Sequence, residues 1–96
     1  VRMIAELMNL RGRTALITGA TGGIGQEIAL TIAELGGNLI LVDRPKSNYD
    51  QIERNILDNW NVDIKCIDCD LENHNSRINL IEEIVKNNVN LDILIN

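Results

Sequence analysis

Four glycines, at positions 19, 22, 23 and 25 of the stretch TALITGATGGIG (Thr14 to Gly25), separate a β-prone apolar run from a helical pattern. Residues without a Cβ have a definite use at such a junction. A loop that meets a pyrophosphate must bring backbone N–H groups close, a Cβ would hold the anion off, and the following helix adds the positive end of its dipole. On this reading Gly19 permits the sharp exit from the strand, Gly23 the close approach of phosphate, and Gly25 tight packing of helix against sheet. The bland alternative is a glycine-rich turn with no ligand. Asp43 weighs against it, standing 18 residues after Gly25 at the end of the next apolar run, where a carboxylate can accept hydrogen bonds from both hydroxyls of a ribose. A P-loop is excluded, because no Gly-Lys-Ser/Thr follows the glycines.

Two other clusters are weaker. Cys66 and Cys69 form a C-x-x-C, but they lie in the alternating stretch VDIKCIDCDL rather than at a helix start. Their spacing of three on a strand sends the thiols to opposite faces, and His74, the only histidine, brings no second ligand set. Two buried or half-buried thiols are expected, and no metal site. Asp68, Asp70 and Glu72 resemble the start of a calcium loop, yet Asn73 and Asn79 stand where that loop needs Gly and Glu.

The elements that must position the glycines and Asp43 follow from periodicity. Arg13 to Thr18 reads as a buried strand, and Ile24, Ile28, Ile32 and Leu35 then share a helical face beside Ala29 and Ala33 until Gly36 and Gly37 stop the helix. NLILVDR is a second strand, buried on both faces. Ser47 or Asn48, with Gln51 in capping-box position, opens a helix whose inward face is Ile52, Ile56, Leu57 and Trp60. Val62 to Leu71 is the third strand. A third helix carries Ile78, Ile81 and Val85 on one stripe with Ile84 adjacent, and Leu91 to Ile95 forms the fourth strand. Alternating strands and helices with short connections give an α/β fold, a Rossmann-type doubly wound parallel sheet of order 3-2-1-4. Its ligand crevice lies where the strand order reverses, beside the glycine loop.

TGATGGIG matches the T-G-x-x-x-G-x-G cofactor motif of the classical short-chain dehydrogenases/reductases, and LDILIN resembles the strand leading into that family's N-N-A-G motif, with Asn96 as its first residue. The resemblance spans the chain. It implies that Asp70 and Leu71 contact adenine, and that the cofactor-facing positions are Gly19, Thr21, Gly22, Gly23, Ile24, Gly25, Asp43, Arg44, Asp70, Leu71 and Asn96. It also implies a nicotinamide cofactor, NAD in preference to NADP on account of Asp43, and a small-molecule alcohol or carbonyl substrate in a homo-oligomeric enzyme. The family's Ser, Tyr and Lys would follow the fourth strand, so no catalytic residue is expected here. Tyr49 is no substitute, since Glu53 occupies the position four residues on where the family has Lys. Gly22 also satisfies T-G-x-x-G-x-x-G, the motif of extended-branch nucleotide-sugar epimerases and dehydratases. A dinucleotide-binding module without catalysis is the third reading.

Composition sets the outer bounds. With 96 residues, 45% hydrophobic and 24% charged, the chain has room for one modest core. A net charge of −5 and only two aromatics, Tyr49 and Trp60, argue against nucleic acid. No apolar run reaches membrane-span length and no signal-peptide layout opens the chain, so a cytoplasmic location is the default expectation. Val1 in place of Met, and an ending inside an apolar run, suggest residues 1–96 as the amino-terminal part of a single NAD(P)-binding domain, truncated after the fourth strand.

Overall fold

Ala15, Leu16 and Ile17 are all but inaccessible, and this dictates the layering of the molecule: a strand buried on both faces needs cover above and below. The computed structural model describes residues 9–87 and 89–96, so residues 1–8 and 88 of the expected domain lie outside the described part. The elements are β1 (Thr14–Thr18), α1 (Gly23–Glu34), β2 (Asn38–Asp43), α2 (Asp50–Asn59), β3 (Ile64–Asp68), α3 (His74–Lys86) and β4 (Ile93–Ile95). All four strands pair in parallel, in the order β3-β2-β1-β4. The predicted topology therefore stands.

Right-handed crossovers explain which helix goes where. The first two connections step the same way across the sheet, so α1 and α2 cover one face, where Ala29, Ile32, Ala33, Ile52 and Ile56 meet Ala15, Ile17, Leu39 and Leu41. The third steps back past β1 to β4, and α3 accordingly lies on the other face, with Leu80 and Ile84 against Leu16, Ile40 and Val42. Cys66 packs against the first cluster and Cys69 belongs to the second, so the two free thiols do face opposite ways. Burial, and then the Glu53 carboxylate 3.4 Å from the sulfur, push the Cys66 thiol up to about 12, far from a reactive thiolate.

Helix ends follow the chemistry of their residues. At the end of α1, Gly36 takes φ 89°, its N–H bonds the Ala33 carbonyl, and Gly37 N–H bonds the Ile32 carbonyl, which completes a Schellman motif. At the start of α2 the expected capping box does not form. Tyr49 is the N-cap, and Asn48 Oδ1 instead accepts from Asp50 N–H at 2.9 Å, a local turn that leaves Gln51 unused.

Three of the expected inward faces are rotated or narrowed. Ile24 is 81% exposed, because α1 meets the sheet along Ala29, Ile32 and Ala33, where the two alanines allow the closest approach. In α3 the stripe Ile78, Ile81 and Val85 is exposed while Leu80 is buried; apolar residues at 78, 80, 81, 84 and 85 spread over nearly half the circumference, wider than the part the sheet covers, so periodicity alone does not select a face. Leu57 is also exposed. The strands are shorter than their apolar runs, β3 most of all, since Val62 and Asp63 precede its pairing and Cys69 to Leu71 already turn toward α3. Among the described residues no helix is long and apolar enough to cross a membrane.

Beside β4, Leu94 is exposed on one face, and on the other Ile24, Ile28, Ile32 and Ile95 line a groove of about 580 Å³. An apolar flank of this kind, next to a parallel strand, associates. Expressed alone, these 96 residues should run as oligomers or aggregates in size-exclusion chromatography and melt without a sharp transition; a monomer with a cooperative melt would contradict this. Gly25 gives a second test. A Cβ there would overlap the Gly19 carbonyl oxygen, so Gly25→Ala should destabilise the protein in urea by roughly 1–3 kcal/mol. A loss under about 0.5 kcal/mol would show that the loop yields freely.

Candidate functional site

The loop from Gly19 to Gly22 turns the chain from the end of β1 into α1. Gly19 adopts φ 65°, the left-handed conformation that its expected role demands, and Gly22 N–H bonds back to the Gly19 carbonyl at 3.1 Å. Helix and strand can then close on one another only because position 25 has no side chain. Gly23 differs: a Cβ built on it would meet no protein atom within 4 Å, so space lies open in front of the first turn of α1. The N-cap, Gly22, has no side chain to offer, and no acidic residue occupies the first turn. Backbone N–H groups at Gly23, Ile24 and Gly25 therefore face a position suited to an anion.

Asp43, at the end of β2, is joined to this loop directly. Its Oδ2 accepts hydrogen bonds from both the N–H and the hydroxyl of Thr21, the first at 2.9 Å, and its Oδ1 accepts from Arg44 N–H at 2.8 Å. Partial burial alone would raise the carboxyl; the bonds from Thr21, the Arg44 N–H and the Arg44 charge outweigh it and hold the group below its ordinary 3.8. Gln26 braces the same loop from inside α1, its Nε2 donating to the Thr21 carbonyl at 2.7 Å. A carboxylate has about four acceptor positions, and three are in use. With these bonds in place, one acceptor position on Oδ1 stays free for a ligand.

The remaining predicted positions divide around the loop. Cys69 N–H bonds the Asp43 carbonyl at 2.8 Å, which brings the chain leading into Asp70 and Leu71 alongside Asp43. Asp70 Oδ1 accepts from Glu72 N–H and its own N–H donates to Ser76 Oγ, so it caps the turn into α3, while Leu71 is exposed. Asn96 lies on the opposite flank, where the Thr18 hydroxyl is 3.3 Å from both Asn96 Oδ1 and the Ile95 carbonyl. Ile24 overhangs the apolar groove on that same β4 side. Arg44 is exposed and opens a tight turn in which Ser47 N–H bonds its carbonyl and Lys46 takes φ 70°, as a Pro45-centred type II turn requires. Gln26 and Tyr49 were not foreseen. Nothing in local spacing marks Gln26, and Tyr49, placed at a helix start, has its hydroxyl on the Asp43 backbone at 2.9 Å.

The family model described as short chain dehydrogenase matches residues 13–96 of this chain. A 3-oxoacyl-[acyl-carrier-protein] reductase FabG of Rickettsia bellii is 35% identical over 89 residues, which cover 93% of this chain and 34% of that protein. A very-long-chain 3-oxoacyl-CoA reductase of Phaeosphaeria nodorum is 39% identical over 89 residues, covering 90% of this chain and 26% of the relative. Among solved structures, an NADPH-dependent 3-quinuclidinone reductase from Rhodotorula rubra superposes with a TM-score of 0.81 at 30% identity, over 95% of this chain and 34% of that one. The chain thus spans about a third or less of the length of these relatives. With the motif, the strand order and the family match in agreement, the chain belongs to the short-chain dehydrogenase family.

Proposed function

We propose that this chain supplies the adenosine-diphosphate half of a nicotinamide-dinucleotide site, and that it is the amino-terminal part of a single domain of an oxidoreductase moving hydride between that cofactor and a small alcohol or carbonyl substrate. The observation that carries the reading is the link between Thr21 and Asp43, which sets a carboxylate beside the open first turn of α1. The cofactor, when bound, supplies the hydride chemistry. The chain's own groups bind and orient it. N–H groups at Gly23, Ile24 and Gly25 receive the pyrophosphate, Gly19 and Gly22 shape their approach, and Asp43 holds the adenosine ribose through Oδ1. Asp70 and Leu71 serve the adenine edge, and Asn96 with Thr18 borders the nicotinamide side. Carbonyl reduction fits the company the chain keeps, since the Rickettsia, Phaeosphaeria and Rhodotorula relatives are all named as reductases.

Charge decides the form of the cofactor. A 2′-phosphate on the ribose would stand next to a carboxylate held ionised by Thr21, and two unit charges about 4 Å apart at an effective dielectric of about 20 cost about 4 kcal/mol before screening. We therefore propose NAD on this charge argument, against the solved neighbours, several of which, the Rhodotorula reductase among them, are named with NADPH or NADP. Arg44 supplies the opposing pull, a guanidinium one residue on that would pair with the phosphate once the carboxylate is gone. In the full-length protein NAD should be used with the higher catalytic efficiency. Asp43→Ala should lower the NAD-to-NADP ratio of kcat/KM by about tenfold or more. A wild-type enzyme that prefers NADP, or a variant with an unaltered ratio, would refute the assignment.

The pH dependence follows in sign. Because the Asp43 carboxyl sits below its ordinary value, its contribution is fully present above that value and is lost only as pH falls through the lowered one. NAD affinity should accordingly stay flat between about pH 5 and pH 8. An NAD affinity that titrates near neutrality would assign the ribose contact to another group.

A further inference from the structure

The Tyr49 side chain is placed where a smaller residue would make the better helix cap. It occupies the N-cap of α2 but makes no capping hydrogen bond, and its ring packs against the core cluster beneath α1 and α2. Phenylalanine would serve that packing equally well. The hydroxyl has a different employment: it lies on the last rung of the β2–β3 ladder, accepting from Asp43 N–H at 2.9 Å, with the Ile67 carbonyl at 3.2 Å and the Asp43 carbonyl at 3.4 Å. Burial, and then the neighbouring Asp68 carboxylate, push the phenol above its ordinary range, so it keeps its proton and donates to Ile67.

That rung carries Asp43. The residue's N–H is met by Tyr49, its carbonyl by Cys69 N–H, one carboxylate oxygen by Thr21 and the other by Arg44 N–H. We propose that Tyr49 is a positioning residue for cofactor choice, whose hydroxyl clamps the end of β2 so that Asp43, and not Arg44, stands at the adenosine ribose. Immediately beyond the clamp the chain leaves the sheet, through Arg44 and the turn at Lys46. Without the hydroxyl, one bond fewer keeps that departure from creeping back into β2. The carboxylate is then free to turn from the ribose, and Arg44 to approach a 2′-phosphate.

The proposal rests on Asp43 being the ribose ligand, so both residues are varied in the full-length protein, with NAD and NADP affinities measured by calorimetry and folding followed by thermal melts. Tyr49→Phe should weaken NAD binding by about three- to tenfold, the value of one hydrogen bond, and leave NADP binding unchanged or tighter, which narrows the ratio. In an Asp43→Ala background the same substitution should change both affinities equally. A purely structural role would lower the melting temperature and leave the ratio alone. The proposal is overturned if Asp43→Ala shifts the ratio while Tyr49→Phe, folded, does not. If Asp43→Ala itself leaves the ratio unchanged, the ribose assignment fails and takes the proposal with it. Should Tyr49→Phe not fold, Tyr49→His keeps a ring and a nitrogen able to accept Asp43 N–H; it should keep the ratio nearer wild type than Asp43→Ala does, and an equal loss would count against the clamp.

Discussion

The distance between a backbone carbonyl and a missing methyl governs this structure. At Gly25 the helix α1 passes so close to the end of β1 that any Cβ would overlap the Gly19 carbonyl. Because contact is possible there, the helix starts within one turn of the strand, and its first N–H groups face the crevice instead of solvent beyond it. Because Gly19 turns through a positive φ, Ala20 can continue toward β2, its N–H bonded to the Val42 carbonyl, and Thr21 then falls within reach of Asp43. The open first turn of α1 and the Asp43 carboxylate are set side by side by one close approach. Moving the helix outward by the width of a methyl group would separate them.

Around that contact the molecule fixes polar groups by mutual occupation. Asp43 is held at its N–H, its carbonyl and both carboxylate oxygens, from the N-cap of α2, the residue after β3, the glycine loop and its own successor. The arrangement leaves few conformations open to the side chain that is proposed to set cofactor choice. Preorganisation of this kind lowers the ordering cost of binding, and it limits the acceptor capacity left for the ligand. The flank beside β4 is the reverse case: Ile24, Ile28 and Ile95 line a groove without a covering element among the described residues.

What could be read in advance follows from the range of each interaction. Strand order was legible because buried parallel strands are continuous apolar runs and right-handed crossovers leave few arrangements for four of them. Gly19 and Gly25 were legible because a missing side chain has a steric use that the neighbouring elements reveal. The faces of α1 and α3 were not, since apolar residues exceed what the sheet can cover; Ile24 carries the same periodic signal as Ile32, and in α3 the spacing favours the exposed Ile81 over the buried Leu80. Nor was the hydroxyl of Tyr49, whose partners are set by how β2 and β3 align and not by the residues beside it. The Thr21–Asp43 link, spanning 22 positions, belongs to the same class.

The claim on which everything else depends is that the carboxylate of Asp43 and the first turn of α1 grip one molecule together. A crystal structure of the full-length protein with NAD bound tests it most directly. The account predicts a pyrophosphate oxygen within hydrogen-bond distance of N–H groups among Gly23, Ile24 and Gly25, and a ribose hydroxyl on Asp43 Oδ1 with Thr21 still on Oδ2. A dinucleotide whose ribose is held elsewhere, with Asp43 bonded only to the protein, would contradict it.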